Sequence, residues 1–131
     1  MKKKILIVEP FFSGSHKAWA EGYAEVSSHQ IEIISLPGRF WKWRMHGGAV
    51  TLAKKFNKLN FDPDLIIATD MLNLPVFQSI IKPKCPVVTY FHENQFTYPW
   101  SPKDKDIELQ RDKHYGFINY STALSSDHIF F

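Results

Sequence analysis

Residues 5–19 read ILIVEPFFSGSHKAW and join an apolar, β-branched run to a glycine turn and a polar segment. Gly14 permits a tight turn, and Ser15 can cap a helix that begins near His16 or Lys17. Free backbone N–H groups at such a helix start can hold a phosphate or sugar oxygen. The stretch contains neither the dinucleotide-binding GxGxxG pattern nor a P-loop. It is therefore interpreted either as an oxygen-binding turn or as a plain strand-to-helix turn with a serine cap.

The same alternation of strand-like and helix-like segments continues along the chain. Short apolar or β-branched runs lie at residues 5–8, 31–34, 65–68, 87–91 and 128–131. Segments with helical spacing of apolar residues lie at residues 17–27, 48–59, 74–81 and 107–125. Because the strand-like runs are continuous rather than alternating, we expect strands that are covered on both faces of a parallel sheet. This order predicts an open α/β fold with right-handed crossovers.

Length, charge and cysteine content restrict the class of protein but do not indicate a particular function. The chain has 131 residues, of which 44% are hydrophobic and 22% charged, which is typical of one globular domain. Its formal net charge of +3 favours a phosphate-bearing partner only weakly. A single cysteine excludes an internal disulfide and makes a cytoplasmic location the default. Glu9-Pro10 interrupts the apolar start too early for a signal peptide, and no run reaches the ~20 apolar residues of a membrane span.

Four polar residues follow the fourth apolar run, in TYFHENQFTYPW at residues 89–100. Ligands of open α/β sheets collect at the carboxyl ends of the strands, which is where these residues fall. His92 can carry a proton or donate a hydrogen bond, and Glu93 can accept from a hydroxyl or act as a base. Asn94 and Gln95 would orient polar groups. The cluster is interpreted as catalytic or substrate-binding, with a structural hydrogen-bonded network as the alternative. The histidines lack HxH or HExxH spacing, so no metal site is predicted.

The loop after the second apolar run is rich in tryptophan and cations, in LPGRFWKWRMHGGA at residues 36–49. Trp41 and Trp43 alternate with Lys42 and Arg44, which suits sugar rings, nucleobases or the backbone of a polyanion. Alternatively, one tryptophan anchors the loop to the core and the cations are solvated. The residues 46–48 that follow, His-Gly-Gly, are expected to begin the next helix.

Two further segments contribute candidates. Asp70 follows the third run and either binds a hydroxyl or caps a helix that begins near Leu72. The last helical segment contains His114 and Gly116. Because glycine inside a helix costs about 1 kcal/mol relative to alanine, Gly116 indicates the close approach of a ligand or of another segment.

Taken together, four motifs resemble the N-terminal half of the glycosyltransferase-like family that includes the tRNA-queuosine alpha-mannosyltransferase. They are ILIVEPFFSGSHKAW, LPGRFWKWRMHGGA, YFHENQFTYP and HYGFINYSTALSSDHIFF, and they occur in order over essentially the whole chain. The resemblance implies a Rossmann-like domain and a GT-B architecture, in which residues 1–131 form the acceptor-side domain. It also implies GDP-mannose as the sugar donor, queuosine in tRNA as the acceptor, retention of anomeric configuration, and no metal or other cofactor.

The resemblance also assigns roles to residues of this chain. The Gly14-Ser15-His16 turn would approach the donor diphosphate, and His92 would contact the donor sugar near the reaction centre. Glu93 and Asn94 would help to orient the sugar or the acceptor. From residue chemistry, Glu93 is also predicted to be catalytic together with His92, and Gln95, Asp70 and His114 are predicted to bind donor or acceptor. From residue chemistry alone, the RNA or modified-base surface is assigned to Trp41, Lys42, Trp43 and Arg44.

The chain stops as SSDHIFF enters a strand, so we expect a fragment that lacks a C-terminal nucleotide-sugar domain. Alone it should bind donor poorly and turn over slowly or not at all. The competing interpretation is a non-catalytic RNA- or carbohydrate-binding α/β module. A response-regulator-like domain is disfavoured, because it needs an acidic cluster after the first strand and Glu9 is the only carboxylate there.

Overall fold

The structure, a computed structural model, describes residues 1–131 as a five-stranded parallel sheet flanked by helices. The strands are β1 Lys4–Phe12, β2 Gln30–Pro37, β3 Leu65–Thr69, β4 Val87–Tyr90 and β5 His128–Phe130. The helices are α1 Gly14–Val26, α2 Trp41–Lys58, α3 Leu74–Ile81, α4 Lys105–Glu108 and α5 Asp112–Ser125. All four strand pairs are parallel, which confirms the predicted open α/β fold of the Rossmann-like type. None of the helices is both long and apolar enough to cross a lipid bilayer.

Side chains of β1 are buried on both faces of the sheet, as the continuous apolar run predicts. Leu6 and Val8 belong to a core of 13 buried residues beneath α2 and α3. Ile5 and Ile7 point to the opposite face and pack in a smaller core with Ala20 of α1. Burial of a Leu or Ile side chain contributes roughly 1.5–3 kcal/mol, so these alternating contacts fix the register of β1 between two layers.

The order of the strands, β2-β1-β3-β4-β5, places a topological switch point between β1 and β3. From β1 the chain passes through α1 to β2 on one side, and later strands are added on the other side. The loops after β1 and β3 therefore diverge and leave a crevice at their carboxyl ends. Glu9, Thr69 and Asp70 lie at this crevice, and the loop after β4 closes its far side.

Helix α5 holds the crevice loops in place from the layer of α2 and α3. Tyr115 and Ile118 pack with Met45 of α2 and Met71 of the loop after β3. Gly116 lies under the ring of Phe96, where an added Cβ would come within 2.8 Å of the ring. The predicted close approach at Gly116 is thus confirmed, and the approaching group belongs to the loop after β4.

Several predicted helix boundaries are wrong. Helix α1 begins at Gly14, with φ +52°, and its N-cap residue is Ser13 rather than Ser15. Helix α2 begins at Trp41, so the tryptophan-rich segment is the first turn of a helix and not a loop. Gly47 and Gly48 therefore do not begin α2 but lie in its interior, and Gly48 is buried. A Cβ at Gly48 would meet Pro10 at 3.3 Å, so the glycine lets α2 lie close to the end of β1.

Two other helix predictions need correction. Asn73, not Asp70, caps α3, since its side chain accepts a hydrogen bond from the Val76 N–H. The single helix predicted at residues 107–125 is interrupted between α4 and α5, where Gln110 adopts a left-handed conformation with φ 56°. The interruption turns the chain so that α5 alone packs against the core.

Candidate functional site

A buried carboxylate at the end of β1 is the base of the candidate site. Glu9 has no exposed surface, although it interrupts an otherwise apolar strand. Its Oε2 accepts hydrogen bonds from the Thr69 hydroxyl at 2.8 Å and from the Phe11 N–H at 3.1 Å. Its Oε1 lies 2.6 Å from Nδ1 of His16. Three hydrogen-bond partners thus surround the buried Glu9 carboxylate, so Glu9 can hold the His16 ring in a fixed orientation.

His16 lies in the first turn of α1 and is 4% exposed. Burial, the largest single effect, acts to lower the pKa of His16. The hydrogen bond and charge of Glu9, together with the smaller charge effects of Asp70 and Glu93, more than offset burial and raise the pKa above its ordinary value of 6.5. His16 is therefore biased toward the protonated form, with Nδ1–H donating to Glu9 and Nε2–H directed at the crevice, where Glu93 Oε1 lies 3.8 Å away.

A second carboxylate orients the second histidine. Asp70 Oδ1 accepts a hydrogen bond from the His92 backbone N–H at 3.0 Å and lies 3.3 Å from His92 Nδ1. Asp70 is 1% exposed, and the His92 side chain is 9% exposed. Two buried atoms of this pair, Asp70 Oδ2 and His92 Nε2, have no hydrogen-bond partner. An unpaired buried polar atom costs roughly 1–3 kcal/mol, so these atoms mark a place where a ligand group would be favoured.

The two histidine rings stack on each other. The centroids of His16 and His92 lie 4.1 Å apart, with 28° between the ring planes. Trp19 contacts the edge of His92 at a centroid distance of 5.5 Å, and Tyr90 does so at 4.9 Å. The stacked, carboxylate-backed pair can present ring N–H groups to a hydroxyl or an oxyanion in a setting where such bonds are strong.

The same side chains include two sets of potential metal ligands, which the sequence spacing did not predict. Ligand atoms of Glu9, His16 and His92 lie within 4.8 Å of one another, as do those of His16, Asp70 and Glu93. His16 is common to both sets. A divalent cation bound there would have to compete with the proton that Glu9 holds on His16.

Asn119 connects the site loops to α5. Its Oδ1 accepts from the Gln95 backbone N–H at 2.7 Å, and its Nδ2 donates to the Asp70 backbone carbonyl at 2.9 Å. Asn119 is 3% exposed, so both bonds are shielded from water. One side chain thereby fixes the loop after β3 relative to the loop after β4.

Asn119→Ala is expected to destabilise the fold by about 2–4 kcal/mol, because two buried backbone groups lose their partners. Asn119→Asp is the matched variant, since its carboxylate can still accept from the Gln95 N–H but cannot donate to the Asp70 carbonyl. Urea unfolding measures the free energy of unfolding of both variants and of the native chain. Equal stability of Asn119→Ala and the native chain would contradict the bridging role.

A pocket of about 260 Å³ adjoins the histidine pair. The end of β1, the start of α2 and the loops that follow β3 and β4 contribute to its wall. The lining residues are Phe11, Trp41, Met71, Glu93, Gln95, Tyr98, Pro99, Trp100, Ser101 and Asp104. Glu93 belongs to the pocket wall and also approaches His16, so pocket and histidine pair form one continuous crevice.

Lys42 is bound within the chain. Its Nζ donates to Asp104 at 2.8 Å and also contacts Asp106. The same Nζ lies 5.7 Å from the ring centroid of Trp41 and 5.2 Å from that of Trp100. The hydrogen bond from Lys42 lowers the pKa of Asp104. Lys42 thus ties the loop before α4 to the start of α2, and its charge is balanced there.

The structure separates the four residues that were assigned together as an RNA or modified-base surface. Trp41 is half-buried, lines the pocket and packs at a centroid distance of 5.3 Å from Trp100. Trp43 is 73% exposed and points away from the core. Arg44 donates through Nε to the Pro37 carbonyl at 3.1 Å. Of the four residues, Trp43 is the one that presents a large free aromatic surface.

The remaining predicted residues take different positions. Gly14 and Ser15 are exposed at the first turn of α1, beside His16. The side-chain oxygen Oδ1 of Asn94 accepts from the Phe96 and Thr97 N–H groups, so Asn94 shapes its own loop. His114 stacks on His46 at a centroid distance of 4.8 Å, outside the histidine pair. Burial, followed by the charge of His114, lowers the pKa of His46.

Sequence reasoning missed Glu9, Thr69, Asn119 and Asp104 as site residues. A charged residue at the end of a continuous apolar run was the available signal for Glu9. Its partner Thr69 lies 60 residues away and is brought beside Glu9 only by the pairing of β1 with β3. Its partner His16 lies 7 residues away, across the turn from β1 into α1.

Comparisons with known proteins agree with the resemblance. A family profile described as tRNA-queuosine alpha-mannosyltransferase N-terminal matches residues 4–131. A Drosophila melanogaster protein named tRNA-queuosine alpha-mannosyltransferase is 34% identical over 134 residues, which covers 99% of this chain and 34% of the fly protein. The chain therefore spans about a third of the length of this relative.

Proposed function

This chain belongs to the tRNA-queuosine alpha-mannosyltransferase N-terminal family, and on that premise we propose that it is the acceptor-side domain of a retaining mannosyltransferase. The donor is GDP-mannose and the acceptor is queuosine in a tRNA. A second Rossmann-like domain supplies most of the nucleotide-sugar site and faces this one in a GT-B arrangement. The crevice at the carboxyl ends of β1, β3 and β4 forms the acceptor-side wall of the cleft.

The observation that carries the proposal is the stacked pair of carboxylate-backed histidines at the switch point. His16, whose pKa is raised, offers positive charge where the diphosphate leaves. His92 Nε2, which lacks a partner, donates to or accepts from a hydroxyl of the sugar. Fixed donors that meet developing charge are a main source of catalytic rate.

In the proposed step, the bond between the anomeric carbon of mannose and the terminal phosphate oxygen of GDP-mannose breaks. GDP leaves with the electron pair, and a hydroxyl oxygen of queuosine forms the new bond to the anomeric carbon. The hydroxyl proton passes to the departing phosphate oxygen. This chain orients the reacting groups and stabilises the charge on the leaving GDP, which are the roles that positioned groups serve in transfer reactions.

The test uses the full-length gene product with GDP-mannose and a queuosine-containing tRNA, and nucleosides are analysed by mass spectrometry. We expect one hexose to be added to queuosine. The same tRNA with guanosine in place of queuosine should remain unmodified, and UDP-glucose should not replace GDP-mannose. If the queuosine nucleoside keeps its mass under these conditions, the proposed activity is wrong.

One observation favours a second function, that of an RNA-binding module without transfer activity. Trp43 is 73% exposed, and its ring lies 6.4 Å from His46 by centroid distance. Exposed aromatic rings beside ionisable groups suit stacking with unpaired bases. Weaker tRNA binding by Trp43→Ala, with no hexose transfer in the full-length protein, would favour this function over the enzyme.

A further inference from the structure

We propose that the pocket beside the histidine pair binds the modified base of the acceptor itself, with the Glu93 carboxylate facing a cationic amine on the side arm of that base. This assignment rests on the proposed function, which makes queuosine the acceptor. Queuosine is a deazaguanosine whose side arm carries a secondary amine and a vicinal diol. The pocket therefore has to accept a flat ring, a positive charge and a hydroxyl that reaches the donor sugar.

The charge of the pocket fits a cation and disfavours a phosphate. Glu93 and Asp104 lie in the wall, and Asp106 lies just behind it on α4. Lys42 pairs with both Asp104 and Asp106, so one lysine faces two carboxylates. With Glu93 included, the pocket wall and the adjoining start of α4 carry three carboxylates against the one ammonium group of Lys42. A chain with a net charge of +3 thus has a locally acidic pocket, which selects a cationic ligand group over an RNA phosphate.

The shape of the pocket fits one flat ring. Trp41 and Trp100 form an aromatic corner, and Tyr98 also lines the pocket. A volume of about 260 Å³ is suited to a single base with a short arm and too small for several nucleotides. Aromatic rings bind a planar base by stacking and attract a neighbouring ammonium group through their faces. The Lys42 ammonium already lies over these same tryptophan rings.

The position of Glu93 links the pocket to the reacting groups. Its carboxylate lines the pocket, and its Oε1 lies 3.8 Å from Nε2 of His16. A base stacked against the corner of Trp41 and Trp100, with its amine at Glu93, would extend its diol toward the stacked histidines. Glu93 therefore acts in recognition of the acceptor arm, which makes it a specificity-determining residue at the border of the donor site.

The test measures binding of free nucleosides to the full-length protein by isothermal titration calorimetry, without any sugar donor. The probes are queuosine and guanosine, which lacks the amine-bearing arm. Glu93→Gln keeps the size of the side chain and removes its charge. Trp100→Ala removes one aromatic wall. Glu108→Gln is the matched control, because Glu108 is exposed on α4 and outside the pocket.

We expect the native protein to bind queuosine at least about tenfold more tightly than guanosine, because the Glu93 carboxylate can form a charge-assisted hydrogen bond with the ammonium group. Glu93→Gln should remove most of that preference and leave guanosine binding unchanged. Trp100→Ala should weaken both nucleosides about tenfold through lost stacking. Glu108→Gln should bind like the native protein. Thermal unfolding of each variant is compared with that of the native protein, and equal unfolding temperatures establish that the effects on binding are local. Trp100→Phe is a milder variant that keeps an aromatic ring at this position.

Two results would overturn the assignment: equal affinity of the native protein for both nucleosides, or unchanged queuosine affinity in Glu93→Gln and Trp100→Ala. The outcome is separable from that of the proposed function, because no donor is present. Loss of queuosine preference in Glu93→Gln supports the pocket even if no hexose transfer is ever seen. Conversely, the native protein could transfer hexose while Glu93→Gln and Trp100→Ala keep the native KM for the acceptor. That result would mean that the base binds outside this pocket.

Discussion

Glu9→Gln is expected to lower the pKa of His16 below 6.5 and to reduce mannose transfer by about a hundredfold. The Glu9 hydrogen bond and charge are the main effects that raise this pKa, and without them burial of the ring dominates and lowers it. His16 would then be neutral at pH 7 and would offer no positive charge to the leaving diphosphate. Loss of one fixed charge-stabilising group costs roughly a hundred- to a thousandfold in comparable sites.

Nuclear magnetic resonance titration of the histidine ring protons measures the pKa directly, and single-turnover assays measure transfer. Glu93→Gln is the first control, because Glu93 contributes least to the raised pKa and its loss should shift His16 only slightly. Glu25→Gln, on the exposed side of α1, should shift nothing. A His16 pKa that stays above 6.5 in Glu9→Gln would refute the role of Glu9.

The same pair predicts how stability depends on pH. His16 has a folded-state pKa above its unfolded value of 6.5, so its protonation stabilises the fold fully below pH 6.5. That contribution is lost as the pH rises through the folded-state pKa. The free energy of unfolding should therefore fall on raising the pH from 6 to 8, as measured by urea unfolding across this range. In Glu9→Gln, where the His16 pKa is expected to lie below its unfolded value, the His16 contribution should change sign and make stability rise with pH.

The fold was accessible from sequence because its strands are short, continuous and apolar. Residues 65–68 and 87–91 differ from the observed β3 and β4 by one residue each, since β-branched runs between turns have few other structures open to them. Helix starts were less accessible. Glycine has a low helix propensity, so Gly47 and Gly48 predicted a helix terminus. In the structure Gly48 lies inside α2, because the helix packs so closely against Pro10 that a larger residue would not fit easily.

Only part of the candidate site could be predicted from the sequence, because local sequence shows which residues follow a strand but not which distant residues contact them. His92 and Glu93 follow a strand directly, so their location at the rim could be predicted from local sequence. Glu9 carries out its role through partners on two other segments, and no local pattern reveals that Thr69 and His16 reach it. Lys42 was predicted to contact a ligand, whereas in the structure it forms an ion pair with Asp104. Asp104 lies 62 residues away, so the residues next to Lys42 in the sequence give no sign of this pair.

His92→Ala is expected to reduce mannose transfer by at least about a hundredfold in the full-length protein. The substitution removes the ring that stacks on His16 and the unpaired Nε2 that faces the crevice. The backbone N–H of residue 92 would still donate to Asp70 Oδ1, so the loop after β4 should keep its course. The loss should therefore appear in kcat more than in the KM for tRNA, because the acceptor pocket is formed by other side chains.

His29→Ala is the matched control. His29 lies directly before the amino end of β2, whereas the crevice lies at the carboxyl ends of the strands, and its Nδ1 accepts a hydrogen bond from the Lys3 N–H at 3.2 Å. Its transfer rate should equal that of the native protein. Thermal unfolding of both variants separates chemistry from folding, and His92→Ala should unfold within a few degrees of the native protein. Transfer by a folded His92→Ala protein at more than half the native rate would mean that the stacked pair is a structural element and that the sugar reacts elsewhere in the cleft.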